Sequence, residues 1–459
     1  MRKKHCNEKT QHDQGHHAGL ASVLLREEAT RSYRSLSSGT DLQSDDNRLI
    51  YGDNLPALAA LTAEFAGKLK CVYIDPPYNT GNVFAHYDDG FAQTSWLGFM
   101  KPRLELLWLL LREDGFLAVQ IDDNEFARLY LLMAEVCAER NLKVIVVKMA
   151  EPTGVKMTHV IQRGGLPKLK EYIILAGKAG VRGLNVERIA KGMWDREYST
   201  VIQNVTRAEI QTLRAIIRNE NRTAADVHIA DTICATFVFD TAEEVCRYAG
   251  GATLGDVWLY DNAWRIVRTC ATSAVAKRIA DTKQHRLSAD AGAFTIETPR
   301  KKMYVMKADY KAAHAQPRMR LLFADDYLTV HPGDFWQDIK TTGLGDEGGV
   351  DFTNGKKPEA LLKRIIGMTT KPGDWVLDAF AGSGTTGAVA HKMGRHWIMI
   401  EAGKHCHTHI IPRLRRVIDG MDQGGISKAV EWKGGGGFRY FHSMPSSAKL
   451  TVHSSTNSR

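Results

Sequence analysis

The sequence predicts an α/β fold in which helices flank a parallel β-sheet. Short apolar runs alternate with longer stretches of helical spacing, and this alternation occurs near both ends of the chain. Several of the apolar runs end at an acidic residue, at the edge of the sheet where α/β proteins bind ligands. Periodicity weakens between residues 179 and 330, so we expect one α/β domain built from both ends of the chain around an inserted module.

The first half of this domain is predicted over residues 46–178. Its apolar runs are four to seven residues long and end at turn residues such as Gly52, Asp75 and Asp122, whereas the stretches between them have helical spacing. The predicted strands are 49–51, 69–74, 116–121, 142–147 and 172–175, and the predicted helices are 96–111 and 125–139.

The second half is predicted over residues 331–442. A strand over 375–378 leads into a glycine-rich turn, which is followed by a helix over 385–393 and a strand over 397–400. Polar residues dominate 1–45 and 443–459, which we predict to be a weakly ordered arm and a flexible tail.

The composition limits the classes of protein to which the chain can belong. The chain has 459 residues, of which 44% are hydrophobic, enough for a large core. Seven cysteines without a C-x-x-C pair indicate reduced thiols instead of a disulfide framework. No apolar run is long enough to span a bilayer, and the N-terminus lacks an apolar signal region, so we expect a cytoplasmic protein with no membrane partner. The formal net charge of +9 admits a nucleic-acid partner without establishing one.

The glycine-rich turn FAGSGTTG, residues 380–387, predicts a ligand site. Its glycines let the backbone approach a ligand closely, and the helix that follows directs its N–H groups toward that ligand. Glu401 stands at the end of the next strand, where an acid can bond ribose hydroxyls. The turn alone fits either a nicotinamide or flavin dinucleotide or S-adenosyl-L-methionine.

The acidic-proline turn, Asp75-Pro76-Pro77-Tyr78, distinguishes between these ligands. The prolines fix the backbone, so the Asp75 carboxylate and the Pro76 carbonyl can both accept N–H bonds from one amino group. Tyr78 offers a flat face for stacking a ring. A planar base with an exocyclic amine matches these features, and it must be extruded from a duplex before it can be reached. The two turns together favour S-adenosyl-L-methionine.

Both turns resemble motifs of a known family. With YGDN (51–54), NGKKPEALLKRII (354–366) and GGISKAVEWKGGGGFRYF (424–441), they resemble the beta class of adenine-specific DNA amino-methyltransferases, in particular the Mod subunits of Type III restriction-modification systems. The acidic-proline turn precedes the glycine turn, as in that class. The resemblance implies a Rossmann-like, S-adenosylmethionine-dependent methyltransferase fold with circularly permuted motif order and a target recognition domain inserted at 179–330.

The resemblance also implies roles for individual residues. A catalytic set would hold the target base, and aspartate at its first position favours adenine over cytosine; this set is Asp75, Pro76, Pro77 and Tyr78. A cofactor-binding set would contact S-adenosyl-L-methionine, with Asp53 at its adenine, Glu401 at its ribose and Lys357 and Pro358 near its methionine end. The remaining members of that set surround the glycine turn and are Asp378, Phe380, Ala381, Gly382, Gly384 and Thr385.

The implied activity is methyl transfer to the 6-amino group of a flipped adenine in double-stranded DNA, as the modification component of a Type III-like system. A homodimer and a restriction subunit with helicase and nuclease activity are the implied partners. One alternative is a non-catalytic DNA-binding subunit that retains a cofactor pocket. Two others are a dinucleotide oxidoreductase and a protein glutamine methyltransferase, in which the related motif begins with asparagine where this chain has Asp75.

Two further features bear on the site. Lys170 precedes the predicted strand 172–175, at a position where members of the family often carry histidine. The resemblance therefore does not predict the residues at that edge of the base pocket. The possible metal ligands in one short stretch are His405, Cys406, His407 and His409. Their spacing of two does not place them on one face of a helix, so we expect no metal site.

Overall fold

The chain folds into two compact units. Unit 1 contains the residues up to Glu187 and those from Pro332 onward, and unit 2 contains Arg188–His331. Parts of the predicted arm and tail, at 1–22, 36–45 and 446–459, lie outside the described residues. The computed structural model describes residues 23–35, 46–80, 93–151, 155–250, 254–352 and 355–445.

The strands are short, and those of the predicted α/β domain fall close to the predicted positions. In chain order they are β1 (Val23–Glu27), β2 (Tyr33–Arg34), β3 (Arg48–Tyr51), β4 (Leu69–Ile74), β5 (Leu111–Ile121), β6 (Leu142–Lys148), β7 (Lys170–Gly177), β8 (Ile189–Ala190), β9 (Thr200–Gln203), β10 (Val238–Thr241), β11 (Ile266–Ala271), β12 (Ala293–Glu297), β13 (Met303–Lys307), β14 (Arg318–Phe323), β15 (Thr329–Val330), β16 (Phe335–Trp336), β17 (Trp375–Asp378), β18 (His396–Glu401) and β19 (Gly437–Pro445).

The helices occupy both units. Within the described ranges, none is long and apolar enough to cross a lipid bilayer. In chain order they are α1 (Asn54–Phe65), α2 (Gln93–Leu110), α3 (Phe126–Cys137), α4 (Val155–Gln162), α5 (Arg207–Arg218), α6 (Ala224–Ala235), α7 (Ala242–Tyr248), α8 (Asp256–Asn262), α9 (Ala274–Gln284), α10 (Glu359–Thr369), α11 (Thr385–Lys392) and α12 (Ile411–Ile418).

Unit 1 is built on a mixed sheet with the strand order β1-β19-β3-β18-β17-β4-β5-β7-β6-β16. Its centre, from β19 to β5, is parallel. The pairing of β17 with β4, in which Leu377 lies opposite Val72, joins the second half of the domain to the first. Unit 2 is inserted between β7 and β16. This arrangement confirms the predicted Rossmann-like α/β fold.

The two faces of the sheet are covered by helices from different halves of the chain. Along β4, Cys71 and Tyr73 pack into one buried cluster and Val72 and Ile74 into another, because successive side chains of a strand point to opposite faces. The first cluster includes side chains of α10, α11 and α12, and the second includes side chains of α1, α2 and α3. Burial on both faces explains why these strands read as continuous apolar runs.

The direction of one outer strand differs from the prediction of a parallel sheet. β7 lies between β5 and β6 and runs antiparallel to both. A strand that is buried on both faces has the same apolar pattern in either direction, so the sequence does not report its polarity. The reversal has a consequence for the site. In this register Tyr172 lies opposite Ile121, which brings the first residues of β7 to the edge where β4 and β5 end.

The prediction of a weakly ordered arm is corrected for its described residues. β1 pairs antiparallel with β19, and β2 pairs with the beginning of the same strand. β19 in turn lies parallel to β3 and extends to Pro445, so the predicted tail at 443–459 begins inside a strand. The hydrogen bonds that hold an edge strand in a sheet are made by main-chain groups. A segment of polar composition can therefore contain such a strand.

Unit 2 is a smaller α/β body. Its main sheet has the order β10-β9-β11-β14-β13-β12 with antiparallel pairing, and β8 pairs with β15. Three of its helices, α5, α6 and α7, begin with capping boxes at Thr206, Thr223 and Thr241, which satisfy backbone N–H groups at the helix start. The unit begins at Arg188 and ends at His331, whereas the sequence places the inserted module at 179–330.

A group of four buried charges ties the helices of the second half together. Glu359 contacts Lys392 through Oε2 at 2.8 Å and Arg413 through Oε1 at 2.8 Å. Lys392 also pairs with Asp422 at 2.6 Å, and these four side chains are at most 1% exposed. Two acids balance two bases, so the removal of one acid leaves a buried positive charge uncompensated.

Glu359→Gln is expected to lower the free energy of unfolding by about 3–5 kcal/mol, because it removes the carboxylate that Lys392 and Arg413 share. Urea denaturation followed by far-ultraviolet circular dichroism measures the change. The matched control is Glu151→Gln, whose carboxylate is 51% exposed and pairs with Lys148 at 2.8 Å; this substitution should cost less than about 1 kcal/mol. Equal urea midpoints for the two variants would contradict the prediction.

Candidate functional site

Both predicted turns line one cavity of unit 1, at the carboxyl ends of β4 and β17. The cavity has a volume of about 470 Å³, within the range of about 300–1,000 Å³ that is usual for small-molecule sites. Predicted residues that line it are Asp75, Pro76, Pro77 and Tyr78 after β4, Phe380 and Gly382 after β17, and Asp53, Lys357 and Glu401.

The acidic-proline turn is held by contacts with other parts of unit 1. The Tyr78 hydroxyl lies 2.7 Å from Asp75 Oδ1, and the Lys357 ammonium lies 3.0 Å from Asp75 Oδ2. The Trp96 indole donates to the Pro77 carbonyl at 2.8 Å, which fixes the turn against α2. Burial raises the pKa of Asp75, and the nearby Glu171 adds to this effect, although Lys357 opposes it.

Glu171 is a residue of the site that sequence reasoning missed. Its Oε2 lies 2.8 Å from the Tyr78 hydroxyl and 3.4 Å from the Lys357 ammonium, and it accepts a hydrogen bond from Gln120 at 2.6 Å. Burial alone would raise its pKa, but Lys357 and the hydrogen bonds from Gln120 and Tyr78 hold it below the usual range. A polar Gln120 inside the apolar run 116–121 was the available signal, since a buried amide needs a partner.

The glycine turn is shaped by positive backbone angles and by Glu401. Gly382 and Gly384 have φ of 53° and 77°, a region that favours glycine. Glu401 accepts from the backbone N–H of Gly382 through Oε2 and from that of Gly403 through Oε1, each at 2.8 Å. Its carboxylate therefore fixes the two loops that follow β17 and β18, and it also lines the cavity.

The other members of the predicted cofactor set lie behind the cavity wall. Asp378 accepts from the backbone N–H of Phe380 at 2.9 Å and from the Thr386 hydroxyl, so it supports the turn from below. Four remaining members are not among the lining residues either. The Ala381 N–H donates to the Ile400 carbonyl, and the Thr385 hydroxyl accepts from Arg413 at 2.7 Å. Gly384 and Pro358 occupy the N-cap positions of α11 and α10.

A second group that sequence reasoning missed surrounds Asp53. Arg103, on α2, donates to Asp53 Oδ1 at 3.0 Å and to Asn54 Oδ1 at 2.6 Å, and its guanidinium lies 3.6 Å from the centre of the Phe99 ring. Asn54 donates in turn to the Ala379 carbonyl at 2.7 Å. The signal was a charged residue within an apolar helix, where a buried arginine requires acceptors. These residues form the wall of the cavity beside the glycine turn.

Lys170, the departure from the family pattern, does not line the cavity. It contacts Asp123 and the Tyr172 hydroxyl, whereas its neighbour Glu171 faces the site. Asp122 does line the cavity, pairs with Lys168 and accepts from the backbone N–H of Asn124 at 2.8 Å. Across the described part of the chain, no group of histidine, cysteine and acidic residues could hold a metal ion.

Comparison with known proteins identifies the class. Residues 69–411, which include both turns and most of the cavity wall, match the family model described as DNA methylase. The chain therefore belongs to this family of DNA methylases.

Particular relatives narrow the comparison. The chain is 36% identical over 424 residues to a probable Type III restriction-modification enzyme HindVI Mod subunit of Haemophilus influenzae, covering 87% of this chain and 54% of the relative. It is 25% identical over 378 residues to the Type III restriction-modification enzyme StyLTI Mod subunit of Salmonella typhimurium, covering 75% of this chain and 49% of that one. The crystal structure of an M1.HpyAVI–SAM complex, 13% identical, aligns over 80% of this chain and 98% of that chain with a TM-score of 0.36.

The two matches to Mod subunits confirm the predicted resemblance. The chain spans about half the length of the two Mod subunits it matches.

Asp378→Asn is expected to remove part of the pH dependence of unfolding. Burial raises the pKa of Asp378 from its ordinary value of 3.8 to about 7. The folded chain therefore binds a proton that the unfolded chain lacks between these values, and Asp378 makes the free energy of unfolding fall as pH rises through this window. The stability of the variant relative to the unsubstituted chain should thus rise from pH 4 to about pH 7.

The matched control is Asp114→Asn. A hydrogen bond from Arg112 is the main cause that holds the pKa of Asp114 below its usual range. The difference in the free energy of unfolding between Asp114→Asn and the unsubstituted chain should therefore stay constant from pH 4 to about pH 7. Urea denaturation at a series of pH values measures both differences. A flat difference for Asp378→Asn would contradict the raised pKa of Asp378.

Proposed function

We propose that this chain transfers a methyl group from S-adenosyl-L-methionine to the 6-amino group of an adenine extruded from double-stranded DNA. The single observation that carries the proposal is the cavity that the acidic-proline turn and the glycine turn line together. Membership of the DNA methylase family supports it. A dinucleotide oxidoreductase, the reading open to the glycine turn alone, gives no role to the acidic-proline turn.

The cavity wall near the glycine turn fits the proposed cofactor. Glu401 and Asp53 supply carboxylates for hydroxyl and amino groups, and Gly382 lets the ligand approach the main chain without a Cβ in the way. The Phe380 and Phe99 rings, 6.1 Å apart between centroids, supply flat apolar surface. When bound, S-adenosyl-L-methionine would supply an electrophilic methyl group on a positively charged sulfur.

The opposite wall of the cavity supplies hydrogen-bond acceptors that could make an amino group a better nucleophile. The amino group of adenine is a poor nucleophile because its lone pair is delocalised into the ring. Asp75 and the Pro76 carbonyl, accepting its two N–H bonds, would favour a more tetrahedral nitrogen and orient its lone pair toward the methyl carbon. This is catalysis by position and electrostatics, without a covalent enzyme intermediate.

Unit 2 is the proposed target recognition domain. Its Arg300, Lys301 and Lys302 are exposed in the turn between β12 and β13, where they are free of the core and suited to phosphate contacts. The proposed assembly is a homodimer that acts with a restriction subunit. The restriction-modification enzymes among the relatives support the second of these partners.

Asp75→Ala is expected to lower methyl transfer by at least about 10³-fold, since it removes an acceptor that acts on the attacking amine. The binding constant for S-adenosyl-L-methionine should change little, because Gly382 and Glu401 remain. Incorporation of labelled methyl groups into DNA from a methylation-deficient strain measures the rate, and mass spectrometry of the nucleosides identifies the methylated base.

The control for this variant is Asp114→Ala, which removes a carboxylate that is 57% exposed and pairs with Arg112. It should transfer methyl groups at the unsubstituted rate. The proposal would be abandoned if Asp75→Ala retained that rate as well. A chain that binds DNA and cofactor but transfers no methyl group would be the non-catalytic subunit instead.

A further inference from the structure

The Tyr78 hydroxyl lies between two carboxylates. It is 2.7 Å from Asp75 Oδ1 and 2.8 Å from Glu171 Oε2, yet it has one proton to donate. The Lys357 ammonium lies 2.9 Å from the same hydroxyl, 3.0 Å from Asp75 Oδ2 and 3.4 Å from Glu171 Oε2. One hydroxyl and one ammonium are thus shared by two acids, and the side chains of Asp75 and Glu171 are 20% and 16% exposed.

A chain of buried polar groups holds Glu171 in this position. The Tyr73 hydroxyl donates to Gln120 Oε1 at 2.6 Å, and Gln120 Nε2 donates to Glu171 Oε2 at 2.6 Å. Tyr73 is 1% exposed and Gln120 is fully buried, both on central strands of an apolar sheet. A buried amide and hydroxyl in a sheet core are costly unless each is bonded, and here they are aligned along one path that ends at Glu171.

We propose that Glu171 is the second carboxylate of the base site and acts as a positioning residue. It takes part of the hydrogen bonding of Tyr78 and Lys357 away from Asp75, which leaves Asp75 as the stronger base. This proposal deepens the proposed function and rests on it. The geometry that carries it is the shared hydroxyl and ammonium, together with the buried Tyr73–Gln120 path that orients Glu171.

The chemical step makes use of this difference between the two acids. The adenine nitrogen forms a bond to the methyl carbon while the carbon–sulfur bond breaks, and the bonding electrons stay on sulfur. The nitrogen then carries a positive charge and one N–H too many. Asp75 accepts that proton, which restores a neutral methylated amine, and later releases the proton to water. Glu171 remains ionised throughout and keeps the Tyr78 hydroxyl in place.

The surroundings of Asp75 support this division of roles. Burial and Glu171 raise the pKa of Asp75 although Lys357 opposes them, whereas Lys357 and the hydrogen bonds from Gln120 and Tyr78 hold the pKa of Glu171 below its usual range. Paired acids whose environments separate their pKa values are the usual basis for different roles in one site. Among the residues that the structure describes, the charged and titratable groups around Asp75 include Tyr73 on β4, Tyr78 after it, Asp122 with Lys168 beyond β5, Glu171 on β7, Lys357 before α10 and Asp378 on β17.

The test is the pH profile of single-turnover methyl transfer at saturating cofactor, with DNA from a methylation-deficient strain. The rate should fall on the acidic side as Asp75 becomes protonated. Glu171→Gln removes a negative neighbour, lowers the pKa of Asp75 and should move this limb to lower pH, with a plateau reduced by roughly tenfold. Lys357→Met removes a positive neighbour and should move the limb to higher pH.

Opposite shifts in the two variants distinguish electrostatic positioning from structural damage, which would reduce the rate without moving the profile in opposite directions. Glu135→Gln, which removes a carboxylate that is 63% exposed and pairs with Lys101, is the control and should leave the profile unchanged. An unshifted acidic limb in Glu171→Gln, with an active unsubstituted chain and an inactive Asp75→Ala, overturns this inference alone. An unsubstituted chain that transfers no methyl group to DNA overturns the proposed function.

Discussion

The parallel pairing of β4 with β17 is the constraint on which the rest of the structure depends. Val376 lies opposite Cys71 and Leu377 opposite Val72, so two strands from opposite halves of the chain become neighbours at the centre of the sheet. Because they run in the same direction, the acidic-proline turn after one and the glycine turn after the other emerge at the same edge. Neither turn lines a complete cavity by itself, and the cavity exists because this pair of strands forms.

The sequence predicts this central arrangement because its signals are local. β4 and β17 are apolar runs that end at acidic residues, and the turns after them contain proline and glycine at positions where backbone geometry limits the choice of residue. The residues of both turns that line the cavity were accessible to the same reasoning. Asp378, by contrast, ends β17 as expected, but its hydrogen bonds to Phe380 and Thr386 place it beneath the turn.

The features that the sequence does not predict depend on contacts between distant elements. The direction of β7 leaves no trace in a continuous apolar run, yet this direction brings Glu171 to the site. Arg103 looks like one charge on a long helix until Asp53 and Asn54 are placed beside it. β1, with the sequence VLLRE, is a short apolar run within a segment of mostly polar composition, and it forms by main-chain pairing with the distant β19.

Two groups of buried charges in unit 1 differ in their balance of acids and bases, and this balance distinguishes a structural group from one at the candidate site. In the group around Glu359, two acids and two bases are matched, and each charge is at most 1% exposed. In the group around Asp75, the carboxylates of Asp75 and Glu171 both contact one base, Lys357, so the acids of this group outnumber its bases. Such an excess costs stability. Burial is the main cause that raises the pKa values of both Asp75 and Asp378; Glu171 adds to it for Asp75, and Asp75 adds to it for Asp378.

A cavity that keeps excess negative charge is suited to a positively charged ligand. The sulfonium of the proposed cofactor would bring one positive charge to the cavity and would reduce the excess, so binding and burial reinforce each other there. Methyl transfer, as proposed, would then move that charge from the sulfur to the amine nitrogen beside Asp75. The same excess of negative charge would therefore attract the cofactor before the reaction and stabilise the developing cation during it, which is the condition for electrostatic catalysis in a buried site.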